Sequence, residues 1–76
     1  MPDLAMVRRA KLLTQEQLAE HAGVSIGTIY GIESGRALPR LSIIAKLSNV
    51  LGVDPNEVDE FRRSIERRPK EERKAS

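Results

Sequence analysis

Few side chains in the 76-residue sequence could perform catalysis. His21 is the single histidine, and no cysteine or acid stands near it at metal-ligand spacing. Ser25 and Thr28 carry hydroxyl groups but have no base partner nearby in the sequence. We therefore expect no enzymatic activity, no bound metal and no cofactor.

A cluster of acidic residues late in the chain could suggest a cation site. Its members are Asp54, Glu57, Asp59 and Glu60. The cluster lacks the Asp-x-Asp-x-Asp-Gly loop of a calcium site. Helix capping explains the first two, because Asp54 precedes a proline at the first helical position and Glu57 stands at the third.

The segment from Gln15 to Ser34 has the pattern of two helices joined by a tight turn. Its apolar positions recur at helical spacing, at Leu18, Ala19, Val24, Ile29 and Ile32. Ala19 must be small because the second helix of the pair crosses close over it, and Gly23 must tolerate the positive φ of the turn. These independent steric requirements together predict a helix-turn-helix at residues 15–34.

Helix start and stop signals along the rest of the chain predict an all-α fold of five short helices. Hydrophobic residues make up 39% of the chain and aromatic residues 3%, which favours aliphatic helices over sheet. Caps and apolar spacing predict helices over Leu4 to about Leu12, Gln15 to Ala22, Ile26 to Ser34, Leu41 to Leu51, and Pro55 to about Arg67. The fourth helix carries Leu41, Ile44, Leu47 and Leu51 on one face.

The net charge of +2 is unevenly distributed. Residues 1–58 contain six basic and six acidic side chains, so the excess lies in residues 59–76. We expect residues 1–58 to form one domain and residues 59–76 to form a charged helical extension with a solvated tail from Lys70. The longest apolar run has four residues, Leu4 to Val7, so we expect a cytoplasmic protein without a membrane segment.

The motif residues resemble those of the phage repressor and Cro-type helix-turn-helix regulators, also called Xre-like. The similarity extends from Leu4 to Val58 and is carried by Arg8, Leu13 to Ala19, Gly23 to Ser25, Ile29, Ile32 to Gly35, Pro39 and Ala45 to Val53. The resemblance implies a compact lambda-repressor-like domain that binds double-stranded DNA as a homodimer on palindromic operators, mostly as a repressor. It also implies phosphate contacts at Gln15 and Ser34, an internal pair between Arg8 and Glu33, and a third helix in the major groove.

Helix geometry assigns the DNA-facing residues of the third helix. Opposite Ile29 and Ile32 lie Gly27, Tyr30, Gly31 and Ser34, with Ile26 and Thr28 at the margins. Helix N-termini bind phosphate, which adds Gln15 and Ser25 to the candidates. Arg36 and Arg40 follow the third helix and are candidates for backbone or minor-groove contact; solvated surface charge is the alternative.

This third helix departs from the family in offering few side chains for base recognition. Ile26, Gly27 and Gly31 stand where Gln, Asn, Arg or Ser usually contact base edges. One interpretation is close approach to DNA, leaving Ile26 or Thr28 to touch a thymine methyl group and Tyr30 to reach a phosphate. The other is drift on an exposed face.

Val58, Phe61 and Ile65 recur at helical spacing near the end of the chain. Filling the monomer core explains Val58 and Phe61 as well as a dimer contact does, whereas self-association is preferred for Ile65. Two other functions stay open: an antitoxin whose fifth helix or C-terminal tail binds a protein partner, and a helical protein-interaction module that has lost DNA binding.

Overall fold

The computed structural model describes residues 1–67, so the expected tail from Lys70 lies outside the described residues. Five α-helices follow one another in this range, with no β-strand among these residues. The helices are α1 Leu4–Ala10, α2 Gln15–Ala22, α3 Ile26–Glu33, α4 Leu41–Leu51 and α5 Asp59–Glu66, with a 3-10 turn at Pro55–Glu57 before α5. The predicted all-α, five-helix fold is confirmed.

One hydrophobic core within residues 1–67 receives side chains from every helix. Its buried members are Leu4, Leu18, Ala19, Ile29, Ile32, Ile44, Leu47, Leu51, Val58 and Phe61. Burying a side chain of leucine or isoleucine size contributes about 1.5–3 kcal/mol, so the helices hold one another in place through this shared core.

The buried face of α4 differs from the predicted one at its first residue. Leu41 remains 37% exposed, whereas Ser48 is buried together with Ile44 and Leu47. Leu41 lies about 70° from the centre of the buried face at 100° per residue and occupies the end of the helix, so the core does not cover it. The Ser48 hydroxyl is buried without a hydrogen-bond partner among residues 1–67.

Helix α1 ends at Ala10, two residues before the predicted end at Leu12. Leu12 adopts the left-handed conformation at φ 61°, and the Leu13 N–H donates to the Arg8 carbonyl at 3.2 Å. This is the Schellman arrangement, in which glycine normally occupies the left-handed position. The prediction from sequence places the end of α1 two residues too late. Leu12, which is 90% exposed, occupies the position where a glycine would have indicated the end of the helix.

The predicted fifth helix is interrupted at Val58. The capping box of Asp54 and Glu57 is present, but it starts a single 3-10 turn rather than a long helix. Val58 is extended at φ −113° and ψ 126°, and α5 starts at the next residue. The break directs both Val58 and Phe61 into the core, where neither is exposed to solvent.

Helix α5 is hydrogen-bonded to the start of the chain. The Leu4 N–H donates to Oε1 of Glu60 at 2.8 Å, and the Asp59 N–H donates to the Pro2 carbonyl at 2.8 Å. On the other side, the Ser64 hydroxyl donates to the Pro39 carbonyl. These hydrogen bonds join α5 to the first residues of the chain and to the loop before α4.

The buried Glu60 carboxyl should make stability depend on pH. Burial raises the pKa of Glu60 above its ordinary value of 4.5, with Asp3 and Asp59 adding to the rise, while N–H donors including that of Leu4 oppose it. A carboxyl whose pKa is higher in the folded state binds protons more readily there, so its contribution to stability is lost as pH rises through that raised pKa.

Glu60→Gln keeps an oxygen acceptor for the Leu4 N–H and removes the ionisation. We expect the free energy of unfolding of this variant, relative to the unmodified protein, to increase as pH rises from the ordinary pKa of a glutamate through the raised pKa of Glu60, and to level off above it. Urea denaturation at a series of pH values measures it. Parallel stability curves for the two proteins would contradict the role assigned to Glu60.

Candidate nucleic-acid interface

Helices α2 and α3 form the helix-turn-helix that the sequence predicts at residues 15–34. Gly23 adopts the left-handed conformation at φ 70° and ψ 34°, and the Val24 N–H donates to the Ala19 carbonyl at 3.0 Å. Ala19 is buried in the hydrophobic core. The turn therefore has the geometry that small residues at positions 19 and 23 allow.

Both helices of the motif begin with a side-chain cap. The Thr14 hydroxyl accepts from the Gln17 N–H at 3.0 Å, and the Thr14 N–H donates back to the Gln17 side chain at 2.9 Å. At the start of α3, the Ser25 hydroxyl accepts from the Thr28 N–H at 3.1 Å. These caps leave the first amides of each helix directed outward, where they can donate to an anion.

The side of α3 opposite its buried residues is open to solvent. Ile29 and Ile32 lie in the core, whereas Ile26 is 44% exposed and Tyr30 is 57% exposed. Gly27 and Ser34 are also exposed, and Thr28 and Gly31 are half-buried. The residues that helix geometry assigns to the DNA face therefore lie together on one surface of the protein.

Two clefts flank this exposed side, so that α3 projects as a ridge between them. A cleft of about 560 Å³ separates α3 from α1 and the start of α2, and its polar lining includes Arg9, Thr14, Gln15, Tyr30 and Ser34. A second cleft of about 360 Å³ lies between α3 and the loop to α4, lined by residues that include Gly27, Gly31, Leu38, Arg40 and Ile43. A ridge of this kind can enter a groove that has walls on both sides.

Arg8 and Glu33 form an internal ion pair with bidentate geometry. Nε of Arg8 donates to Oε2 of Glu33 at 2.8 Å, and Nη2 donates to Oε1 at 3.1 Å. The side chains are only 9% and 7% exposed. The hydrogen bond from Arg8 to Glu33 raises the pKa of the arginine further above its usual range, so the guanidinium stays charged.

The same pair connects four segments of the chain. Nη1 of Arg8 donates to the Leu13 carbonyl at 2.8 Å, which holds the loop between α1 and α2. The Gln15 amide nitrogen donates to Oε1 of Glu33 at 3.0 Å, which holds the first turn of α2. This network therefore sets the end of α3 against α1 and the start of α2.

Several predicted phosphate ligands are hydrogen-bonded to other groups of the protein itself. The Gln15 side chain is bonded to Glu33, and the Ser34 hydroxyl donates to the Gly31 carbonyl at 3.2 Å. The Ser25 and Thr28 hydroxyls share a hydrogen bond of 2.9 Å. A phosphate contact through Ser34 requires its hydroxyl to rotate away from Gly31, since a hydroxyl carries one hydrogen.

Arg36 and Arg40 stand at the edge of the α3 surface. Both residues are exposed, and neither forms an ion pair with any other side chain of residues 1–67. Their guanidinium groups remain available for an anionic partner.

The three apolar residues considered for a dimer contact have different positions. Val58 and Phe61 are completely buried, which selects the core interpretation for both of them. Ile65 is half-buried and packs against the edge of the core. Of these three side chains, only Ile65 has surface that a second copy of the chain could contact.

No cluster of three or more His, Cys, Asp or Glu residues in positions 1–67 could hold a metal ion. Among the helices described, none has the length and apolar character needed to cross a membrane.

Comparison with known proteins identifies the class of protein that this fold and surface define. A family model described as Helix-turn-helix matches residues 4–58. The chain therefore belongs to the helix-turn-helix family, of the Cro/C1-type or Xre-like kind. That family is one of DNA-binding regulators and is not a class of enzymes.

The chain is also similar to a bacterial protein. It is the uncharacterized HTH-type transcriptional regulator RghRB of Bacillus subtilis (strain 168), which is 40% identical to the chain over 74 residues. The match covers 96% of this chain and 53% of the relative, so the chain spans about half the length of the relative. No solved structure matches the chain.

Removing one partner of the Arg8–Glu33 pair should strongly destabilise the fold. Arg8→Ala leaves the Glu33 carboxylate buried without its cation, and we expect the free energy of unfolding to fall by on the order of 3 kcal/mol. Urea denaturation measures the loss.

The exposed pair of Arg62 and Glu66 provides the control. Its side chains are 51% and 60% exposed and 3.0 Å apart, so Arg62→Ala should cost less than about 1 kcal/mol. Equal losses in the two variants would mean that burial of the Arg8–Glu33 pair is not what makes it important.

Proposed function

We propose that the protein is a transcriptional repressor that binds a palindromic operator in double-stranded DNA as a homodimer and acts by covering a promoter. The observation that carries this proposal is the exposed ridge of α3 between its two clefts. The DNA major groove is about 12 Å wide and admits one α-helix, with a phosphate backbone on each side.

The elements beside the ridge suit the two phosphate backbones. The capped first turn of α2, with Gln15, lies on the side of the larger cleft. Arg36 and Arg40 belong to the loop that borders the smaller cleft on the other side. Amides at a helix N-terminus and guanidinium groups are both good phosphate ligands.

The ridge also presents no uncompensated negative charge. Glu33 is the only charged residue of α3, and Arg8 neutralises it through two hydrogen bonds. This matters because residues 1–58 have as many acidic as basic side chains, so overall charge gives little attraction to DNA. Attraction must come from where the individual charges lie.

Dimerisation through α5 would explain a palindromic operator. A two-fold axis repeats α3 about 34 Å away, one turn of the duplex, and requires half-sites about 10 base pairs apart or a multiple of that spacing. Ile65 is the apolar residue of α5 that retains exposed surface beside the core, and a second copy could cover it.

DNA binding can be tested by selecting duplexes from a random pool and titrating the enriched sequence at several salt concentrations. We expect log affinity to fall linearly with log salt, with a slope of about −0.9 for each phosphate neutralised. Arg40→Ala should reduce the magnitude of the slope by about 1 and weaken binding to all sequences alike.

Lys46→Ala removes an exposed positive charge from the middle of α4 and serves as the control for net charge. Its slope should stay close to that of the unmodified protein. Failure to enrich any duplex, or an affinity that does not change with salt, would contradict the proposed function.

The dimer can be tested by sedimentation equilibrium on variants that place an acid on an apolar surface residue. Ile65→Asp should shift the protein to monomers at concentrations where the unmodified protein is dimeric, because a charge buried at the interface is costly. Met6→Asp, at a residue of α1 that is 56% exposed, should stay dimeric. A dimer that survives Ile65→Asp, with both variants folded by circular dichroism, places the interface elsewhere.

A further inference from the structure

A buried hydroxyl joins α5 to the loop between α3 and α4. Ser64 is only 1% exposed, and its hydroxyl donates to the carbonyl of Pro39, which is also buried. Burying a hydroxyl costs free energy unless it finds a hydrogen-bond partner. An alanine would fill nearly the same space without that cost and would favour the helix. The hydroxyl therefore serves the loop rather than the packing of α5.

A second buried serine shows the difference that this hydrogen bond makes. Ser48 of α4 is 6% exposed, and its hydroxyl has no hydrogen-bond partner among residues 1–67. Removing the Ser64 hydroxyl leaves the buried carbonyl of Pro39 without its donor, whereas removing the Ser48 hydroxyl leaves no partner behind. The two serines form a matched pair, alike in chemistry and burial and different in hydrogen bonding.

The Ser64 hydroxyl holds the second half of the loop. The first half is tied to α3 through the Gly31 carbonyl, which accepts from the N–H groups of Arg36 and Ala37 at 3.0 and 3.3 Å. Within residues 1–67, residues 38–39 form no hydrogen bond other than the one to Ser64. This part of the backbone therefore depends on α5 for its orientation.

The same hydrogen bond orients the backbone of Arg40. The peptide unit that joins Pro39 to Arg40 is planar, so a fixed Pro39 carbonyl oxygen also fixes the plane that contains the Arg40 nitrogen. Arg40 is exposed and starts α4 without a side-chain cap. Helix α5 is a firm support, because Phe61 lies in the core and Glu60 accepts from the first N–H of α1.

On the basis of the proposed function, we propose that Ser64 is a positioning residue for the phosphate contact of Arg40. Ser64 is buried and does not itself touch DNA. It holds the peptide unit before Arg40 in one orientation, so the loop loses less conformational entropy when the duplex binds. Without the hydroxyl the loop must be ordered during binding, and the affinity for DNA falls.

A double-mutant cycle tests the DNA side of this proposal, with affinities measured by titration of a duplex selected from a random pool. We expect Ser64→Ala to weaken binding by about fivefold, which corresponds to the net contribution of one hydrogen bond. In the Arg40→Ala background the same change should cost less than about twofold, which is the usual error of additivity. Ser48→Ala should leave the affinity unchanged.

Nitrogen-15 relaxation tests the free protein, where no DNA is needed. The order parameter of the Arg40 amide should fall from about 0.85 to about 0.6 in Ser64→Ala and stay unchanged in Ser48→Ala. Circular dichroism confirms that the variants are folded. If Ser64→Ala does not fold, Ser64→Cys takes its place, because the thiol keeps a weaker donor. It should produce smaller changes in the same direction.

The outcomes separate this proposal from the proposed function. An unchanged Arg40 order parameter overturns the positioning role while DNA binding stands. A loss of affinity that is equally large with and without the Arg40 side chain also overturns it, because Ser64 then acts on the fold in general. If no duplex is selected, the proposed function is overturned, and this proposal with it.

Discussion

The ion pair between Arg8 and Glu33 is the interaction on which the orientation of α3 depends. It joins α1 to the last turn of α3, and the same two side chains also bind the Leu13 carbonyl and the Gln15 amide. A buried pair of this kind adds little net stability over an apolar replacement, but loss of either partner is costly. The pair is important here because it positions α3: it neutralises the one charge on α3 and fixes the ridge relative to the start of α2.

The core supports the ridge from the other side. Ile29 and Ile32 bury the inner face of α3 completely or nearly so, which leaves the outer face free of any structural task. The outer face can therefore carry glycines that a purely structural helix would avoid. The residues that the core requires and the residues proposed to contact DNA therefore lie on opposite sides of the same eight-residue helix.

Helix α5 connects the start of α1 to the loop beside α3. Its Glu60 caps the start of α1 and its Ser64 holds the carbonyl of Pro39, in the loop that borders the smaller cleft. Any partner that displaced α5 would disturb both the start of α1 and this loop, since each loses a buried hydrogen bond. The position of α5 therefore matters for the surface proposed to bind DNA, although no residue of α5 belongs to that surface.

The sequence by itself determined the helix-turn-helix, the helix starts at Thr14 and Ser25, and the exposed set on α3, because capping and apolar spacing depend on residues a few positions apart. Only the tertiary structure decided that Gln15 binds Glu33 and that Glu60 binds Leu4, contacts that span 18 and 56 positions. The tertiary structure also decided the break in the helix at Val58 and the left-handed conformation of Leu12. At both sites core packing and the direction of the chain override the local conformational preference of the residues. The neighbouring residues in the sequence do not indicate this.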